Sequence, residues 1–533
     1  MLLTTAALIY GFSTSVLAAV VPEGVKLSET QTLTVGNFSE PFSIDPNMSQ
    51  TTEDFRIQRD LFEGLVIQGD EGGTIPGQAE SWTISPDYKT FTFTIRDNAA
   101  WSNGDKVTAH DFVNSWRRFV SPETASPYSW YMEMTRINNA SDIVNGRKSP
   151  ESLGVKALDD STLEIKLDQS TPFFLTMLTL PVMSPVHMPS VERWGREWTQ
   201  AGKIVTNGAF TIQDWIVNER ITLKRNTWYW DNKNTVLDTV NILPVTGNPE
   251  LNRYKAGDIH ITKGIPVEHY KAMLEERPDE VTQISGISNY YYIFNMEVKP
   301  FDDVRVRKAL SYAVDREIIT EKVLGQGQQP EYTFSPPSVY GYTPPVVDYQ
   351  QWTQKQRDQK ARELLEAAGY NKNNPLKVEL LYNTSEGHKR LAVAVSQMWK
   401  KLGVKTTLKN EEWKAMLDTK LRGDFEIVRA GWTADYNEAS SMLDVMLSFN
   451  GQNSGRYVSP DYDELMKEAK LAPTDEQRNI LYAEADNLLA QDMPVLPMYF
   501  AGNVFLKDVS VGGYPMKNPQ NIVYSKNLYR IKN

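Results

Sequence analysis

The chain has 533 residues, of which 41% are hydrophobic and 23% charged, a composition typical of a globular protein with about three domains. Its net charge of −11, and the lack of any long run of Lys or Arg, argue against a nucleic-acid partner. The absence of cysteine excludes disulfide bonds, thiolate metal sites, a cysteine nucleophile and a lipid-modified N-terminal cysteine.

Residues 1–18 have the features of a secretory signal peptide. They carry no charge, have an apolar middle at 6–10 and end in small residues. The longest later apolar stretch, 173–183, contains Pro181 and is too short for a membrane span, which needs about 18 residues or more. The sequence therefore predicts an exported, periplasmic protein that is not lipid-anchored.

The N-terminal half shows short strands and few long helices. Alternating apolar and polar residues predict half-buried strands at 91–95, 163–167 and 221–224. Thr108 begins a helix that runs through Trp116.

From about residue 302 the pattern becomes a regular alternation of helices and strands. It predicts helices at 302–323, 352–368, 386–402, 412–421, 459–470 and 474–492, and strands at 377–383, 404–409, 425–430 and 494–500. Such alternation is typical of an α/β domain with crossover connections. Two halves of different character suggest two lobes with a ligand cleft between them.

Asp435 is the most informative single residue, because it lies among aromatic side chains in the run 429–438 (RAGWTADYNE). A carboxylate in a water-poor aromatic pocket needs a positive partner, and the ammonium of a peptide N-terminus would serve. The alternative is a capping box, in which Asp435 and Glu438 cap a helix that begins near Asn437. The run by itself leaves both interpretations open.

No common catalytic constellation is present in the sequence. It has no Gly-x-Ser-x-Gly elbow, phosphate-binding loop or HExxH motif, and its five histidines are scattered. We therefore predict a binding protein without catalytic residues, metal or cofactor.

Four segments together resemble the periplasmic oligopeptide-binding proteins of ABC importers, in the peptide/nickel-binding family 5. They are RDLFEGL at 59–65, VTAHDF at 107–112, FDDVRVRKAL at 301–310, which Asp315-Arg316 follow, and GWTADYNE at 431–438. The resemblance extends from about residue 21 to the C-terminus. It implies an α/β, two-lobed, periplasmic-binding-protein-like fold (class II, cluster C).

The family pattern also implies three domains. Domain I is discontinuous and takes residues 19–62, 188–286 and 503–533; domain II is the inserted segment 63–187; domain III is 287–502. In the family, domain III closes against the others around an extended peptide, and the bound ligand stabilises the closed state.

The resemblance assigns ligand contacts residue by residue. Asp435 matches the acid that binds the peptide ammonium. Backbone groups of Gly431 and Thr433, with Gln50 and Thr52, match positions that pair with the peptide main chain, whatever its side chains.

For the peptide carboxylate, the matching cationic positions are Arg429, His388 and Lys420, the last of which is commonly Arg in relatives. Arg429 could instead form a structural salt bridge, and His388 and Lys420 could be solvated charges on a helix face.

Four aromatic residues match the walls of the side-chain pockets: Tyr128, Tyr291, Trp413 and Trp432. Each could equally be a core residue. The neighbours Tyr290 and Tyr292 are expected on the opposite side of their strand from Tyr291.

Several positions depart from the family pattern. A disulfide that joins positions 288 and 433 in typical relatives is replaced here by Ser288 and Thr433. Ile293, Leu324 and Ala501 stand where relatives often have Glu, Lys and Tyr. Losing two charges makes part of the pocket more apolar and resembles the murein tripeptide-binding branch.

The implied function is binding of short, extended peptides, largely independent of their sequence, and delivery to inner-membrane ABC permease subunits with their ATPases. The protein is expected to act as a monomer. The alternative within the family is binding of murein tripeptide for cell-wall peptide recycling. Alternatives from other classes are an extracytoplasmic peptide hydrolase and a chaperone-like holdase.

Overall fold

The computed structural model describes residues 19–49, 51–472 and 474–532. The chain forms two compact units: the first runs to Thr282 and resumes at Val504, and the second spans 283–503. The predicted signal peptide lies outside the described residues. Within the described ranges, no helix combines the length and the apolar character needed to cross a bilayer.

The first unit is built around two separate four-stranded sheets. The strands of one are Thr32–Gly36, Phe210–Ile216, Arg220–Arg225 and Thr239–Leu243, and those of the other are Ala79–Ile84, Thr90–Ile95, Val155–Ala157 and Thr162–Lys166. The longer helices are Thr52–Leu61, Ala109–Val120, Gly247–Lys255 and Val267–Glu276. The three predicted strands and the predicted helix after Thr108 are therefore confirmed.

The second unit contains a six-stranded mixed sheet with the order β2-β6-β1-β5-β3-β4. Its strands are β1 (Val281–Phe294), β2 (Gln329–Pro330), β3 (Lys377–Asn383), β4 (Lys405–Glu411), β5 (Ile427–Thr433) and β6 (Val495–Leu506). β3 is parallel to both β4 and β5, so the helices between these strands form crossover connections. The predicted α/β alternation is confirmed in this unit.

The longer helices of the second unit are α1 (Val304–Tyr312), α2 (Gln354–Ala367), α3 (Glu386–Lys400), α4 (Trp413–Arg422), α5 (Pro460–Leu471) and α6 (Asp475–Asp492). The single helix predicted for 302–323 is wrong. The first helix ends at Tyr312, and a new helical segment begins at Arg316. The Asp315 carboxylate caps this segment by accepting a hydrogen bond from the Ile318 N–H at 3.0 Å. A side-chain cap of this kind favours a new helix start over a continuous helix.

Two hydrophobic cores lie on the two faces of this sheet. Tyr290 and Tyr292 of β1 belong to one core, whereas Tyr291 and Ile293 belong to the other. Successive side chains of a strand point to opposite faces. Because both faces of β1 are buried from Asn289 to Phe294, this half of the strand lacks the polar and apolar alternation that marks half-buried strands, and the periodicity did not predict it.

Candidate functional site

Asp435 lies just beyond the end of β5 and has a partly buried carboxyl group. Its backbone N–H donates to Ser441 Oγ at 2.8 Å, but within the described ranges its carboxylate accepts no hydrogen bond and forms no ion pair. Burial raises the pKa of the Asp435 carboxyl to about 6. A cation that pairs with a carboxylate in this state stabilises its charged form.

The capping interpretation of Asp435 is wrong in this structure. The helix that follows is the short segment Ser440–Leu443, preceded by Ala439, and no side chain caps it. Glu438 accepts from the Ser440 N–H at 2.8 Å and pairs with Arg478 at 3.3 Å. Glu438, the second acid of the predicted capping box, is thus bound to other groups. The Asp435 carboxylate caps no helix and can bind another partner.

β5 has a backbone edge that the described chain leaves open beside Asp435. The strand pairs with β1 along its whole length, from Ile427 to Thr433, but with β3 only at Ile427 and Val428. A side chain at Gly431 would place its Cβ 2.9 Å from the backbone oxygen of Asn289, so only glycine allows this close approach of β1. Residues 429–433 thus offer an edge on which an extended chain could pair.

Ser288 and Thr433 are directly opposite each other in the β1–β5 pair, and their hydroxyl oxygens lie 2.9 Å apart. This hydrogen bond joins the same two positions that the family resemblance links by a disulfide. The end of β5 is therefore held to β1 by a hydrogen bond, which contributes about 1 kcal/mol where a covalent link would contribute more.

We expect the double substitution Ser288→Cys and Thr433→Cys to form a disulfide under oxidising conditions. Directly opposed residues of an antiparallel pair have Cβ atoms close enough for the bond. The oxidised variant should be about 2–4 kcal/mol more stable than its reduced form in urea unfolding. The single variant Ser288→Cys is the control and should not respond to reductant. Two free thiols after mild oxidation would contradict the expected geometry.

The opposite end of β5 carries a cationic cluster, which we call the anion end and define by Arg429, His388 and Lys420. The Arg429 guanidinium lies 4.8 Å from the centre of the Tyr290 ring, and its Nη1 is 3.5 Å from Asn383 Oδ1. Within the described part of the chain, its buried Nε has no hydrogen-bond partner. Arg429 pairs with no carboxylate of the described chain, so the alternative of a structural salt bridge is not found.

His388 and Lys420 are both partly buried. Burial, together with the charge of Arg429, lowers the pKa of His388 to about 4 and also lowers the pKa of Lys420. His388 is therefore neutral near pH 7, which corrects its assignment as a cation. The imidazole can still donate a hydrogen bond.

The predicted pocket walls lie in different environments. Tyr291 is 2% exposed and packs edge-on against Phe334, which favours the core alternative for this residue. Trp432 is half-buried and donates from Nε1 to the Ser441 carbonyl at 2.6 Å. Tyr128, in the first unit, is half-buried beside Phe55. The side chain of Trp413 lies outside the described residues.

Of the two predicted pairing positions in the first unit, Gln50 lies outside the described residues. Thr51 is extended and caps the helix that begins at Thr52. Thr52 is thus in a first helical turn instead of a strand. N–H groups of a first turn have no intrahelical partner and remain available to a ligand carbonyl.

Positions that depart from the family pattern line both cores of the second unit. Ile293 is 4% exposed and lies against Gly455, whereas Leu324 and Ala501 are partly buried beside the core that contains Tyr290. All three therefore contribute apolar surface.

The residues that sequence reasoning missed are Tyr290 and Tyr292. They were expected to lie away from Tyr291, and they do, but that side is the one that carries Arg429. The register contains the signal: Tyr292 is opposite Arg429 and Tyr290 opposite Gly431, and directly opposed residues share a face. Aligning the two strands with Ser288 opposite Thr433 would have predicted that Tyr290 and Tyr292 share a face with Arg429.

Comparisons with known proteins show the family to which the chain belongs. Residues 73–454 match the model of the bacterial extracellular solute-binding proteins, family 5. The periplasmic oligopeptide-binding protein OppA of Salmonella typhimurium is 45% identical over 518 residues, which cover 97% of this chain and 95% of the relative.

Two solved structures are similar over nearly the whole chain. The murein tripeptide-binding protein MppA in its unliganded open form has a TM-score of 0.90 and 41% identity, covering 96% of this chain and 99% of that one. OppA of Haemophilus influenzae in complex with the peptide RPPGFSPFR has a TM-score of 0.76 and 40% identity, covering 95% and 100%. The predicted α/β periplasmic-binding-protein-like fold is confirmed. This chain therefore belongs to the bacterial extracellular solute-binding proteins, family 5.

Proposed function

We propose that this protein binds short peptides in extended form and delivers them to a membrane ABC importer. The observation that carries the proposal is the partly buried carboxylate of Asp435, which has no partner within the described chain and lies beside the open edge of β5. An unpaired buried charge is costly, and a peptide ammonium removes that cost on binding. The names of the relatives, oligopeptide-binding and murein tripeptide-binding proteins, support the same class of ligand.

The peptide is proposed to run antiparallel to β5. Its ammonium binds Asp435, its main chain pairs with Gly431 and Thr433, and its carboxylate reaches the anion end at Arg429. Asp435 is six positions after Arg429, a span of at most about 20 Å, because an extended chain rises about 3.3 Å per residue. Peptides of about three to five residues would fit between the two ends. The family resemblance assigns further main-chain contacts to Gln50 and Thr52, and side-chain contacts to Tyr128, Trp413 and Trp432.

A murein tripeptide is the second candidate ligand. The observation in its favour is the anion end, where Arg429, Lys420 and the donor His388 lie together with no carboxylate of the described chain paired to them. A ligand with extra carboxylates would use this excess of donors better than an ordinary peptide. The apolar residues at positions 293 and 324 fit the same branch.

We further propose where the protein acts and with which partners. The protein acts in the periplasm as a monomer after removal of residues 1–18, with membrane permease subunits and their ATPases as partners. Three domains with the boundaries given above are supported by the two separate sheets of the first unit.

A Ser-His-Asp trio in the first unit could suggest a hydrolase, but its burial argues against that function. Ser190 Oγ lies 2.8 Å from His187 Nδ1, and His187 Nε2 lies 3.3 Å from Asp105 Oδ2. Ser190 is only 6% exposed, however, and it is the third residue of a short helix that begins after His187. A nucleophile needs access to a substrate, so we assign this trio a structural role.

Calorimetry with trialanine in three forms tests the proposed function. The free peptide should bind, and its N-acetylated and C-amidated forms should bind much more weakly, because each lacks one terminal charge. A holdase would accept the acetylated form equally, and mass spectrometry of the same samples would detect cleavage by a hydrolase. Equal binding of all three forms, or cleavage products, would overturn the proposal.

We expect peptide affinity to fall below pH 6. Asp435, with a pKa of about 6 in the free protein, must lose its proton to pair with an ammonium, so acid competes with the ligand. Affinity should drop about tenfold per pH unit below that value and stay level up to about pH 8, where the peptide ammonium begins to deprotonate. Titrations in buffers of different ionisation enthalpy should detect proton release near pH 6. A constant affinity from pH 4 to 7 would contradict the role of Asp435.

A further inference from the structure

The Tyr290 side chain contacts both His388 and Arg429 at the anion end. Its hydroxyl oxygen lies 3.2 Å from His388 Nδ1, and its ring lies 4.8 Å from the Arg429 guanidinium. The ring also stacks on Tyr499, with centroids 4.9 Å apart and planes within 12°. Since Tyr290 is 4% exposed, this arrangement is fixed by packing on both sides.

The bond between Tyr290 and His388 has a chemical consequence. A neutral imidazole carries one N–H, and the other ring nitrogen is an acceptor. If the Tyr290 hydroxyl donates to Nδ1, the ring proton must be on Nε2, which then donates to whatever lies beyond. In the opposite arrangement Nε2 is an acceptor and repels a carboxylate.

We infer that His388 recognises an anionic ligand group as a neutral hydrogen-bond donor, with its proton held on Nε2 by Tyr290. This inference rests on the proposed function, because it needs an anion at that end of the site. Tyr290 acts through His388 and Arg429 and is a positioning residue. The ligand class is a carboxylate, the terminal one of a peptide or an additional one.

The charges around His388 favour the neutral ring. The titratable or charged groups that contact it, act on it or lie beside it on α3 are Tyr290 of β1, Arg429 of β5, Glu386 and Lys389. Behind them, Lys420 of α4 acts on Arg429, and Tyr499 of β6 stacks on Tyr290. Glu386 and Lys389 are exposed and pair loosely with each other at 3.8 Å. Burial is the main cause, and the charge of Arg429 the second, of the lowering of the His388 pKa to about 4. Charging the imidazole beside a guanidinium would cost free energy.

The direct test is the nitrogen NMR spectrum of the free protein with labelled histidine. Five histidines give five pairs of ring signals, and the spectrum of His388→Gln identifies the pair that belongs to His388. We expect a neutral ring at pH 7 with the proton on Nε2. A proton on Nδ1, or an imidazolium at pH 7, would overturn the inference.

Binding measurements then test the role of Tyr290. Tyr290→Phe keeps the ring under Arg429 but removes the hydroxyl, so the His388 signals should move toward a mixture of tautomers. Its affinity for trialanine should fall about three- to tenfold, the effect of one hydrogen bond, while the weak binding of the C-terminal amide stays the same. Tyr462→Phe is the matched control, since it removes a buried hydroxyl that donates to the Leu443 carbonyl at 2.7 Å and not to His388, and it should change neither measurement.

The two proposals fail in different ways. If trialanine does not bind the wild type, the proposed function fails, and the spectrum of the free protein still decides the tautomer. If trialanine binds but Tyr290→Phe changes neither the tautomer nor the affinity for the free acid, the positioning role of Tyr290 is wrong and peptide binding stands.

Discussion

Replacing Asp435 with asparagine is expected to weaken peptide binding by about 2–5 kcal/mol, the cost of breaking a buried charge pair. The asparagine has nearly the same shape, so the fold should survive. The loss arises because the peptide ammonium is then desolvated without a charged partner. Because Asp435 has no partner in the described chain, unfolding measurements should find Asp435→Asn as stable as the wild type or more stable.

Isothermal titration calorimetry with trialanine measures this change. Asp418→Asn is the control, because Asp418 is exposed on α4, and it should bind like the wild type. The acetylated peptide gives a second control: Asp435→Asn should add little to the loss that acetylation already causes, since both remove the same pair. Unchanged affinity in a folded Asp435→Asn protein would refute the ammonium site.

Replacing Arg429 with methionine should have the second largest effect, a loss of about 2–4 kcal/mol in the affinity for a peptide with a free carboxylate. Methionine keeps much of the packing on the Tyr290 ring and removes the charge. Since Arg429 lowers the pKa of His388, that pKa should rise in the variant and the histidine should begin to compensate in acid. The same NMR spectrum of labelled histidine would measure the rise.

A double-mutant cycle separates the charge pair from general disruption. Arg429→Met should discriminate poorly between trialanine and its amide, whereas the wild type discriminates strongly. Arg422→Met is the matched control, because Arg422 is exposed and pairs with Asp424 at 2.8 Å. Equal discrimination by Arg429→Met and the wild type would place the carboxylate elsewhere, and Lys420 would be the next residue to test.

Much of the fold could be predicted from the sequence, because many elements have one solvent-facing side. The strand Thr90–Ile95 and the helix Glu386–Lys400 lie close to where their periodicities indicate. β1 was not predicted from periodicity, since its second half, from Asn289 to Phe294, is buried on both faces and carries no alternation. The break between Tyr312 and Arg316 was also missed, because the Asp315 cap is a local bond that competes with a longer apolar pattern.

For the candidate site, the sequence by itself determined which residues could carry charge recognition. It singled out Asp435, Arg429, His388 and Lys420, and the lack of cysteine determined that positions 288 and 433 have no disulfide. These inferences depend on residue type, which the sequence states directly.

Only the tertiary structure decided how these residues behave. Whether Asp435 caps a helix depends on where the next helix begins, and whether His388 is charged depends on its burial and its contact with Arg429. Both are set by long-range packing that no local pattern encodes. The partnership of Tyr290 with His388 joins residues 98 positions apart, and it exists because β1 and α3 meet on one face of the sheet.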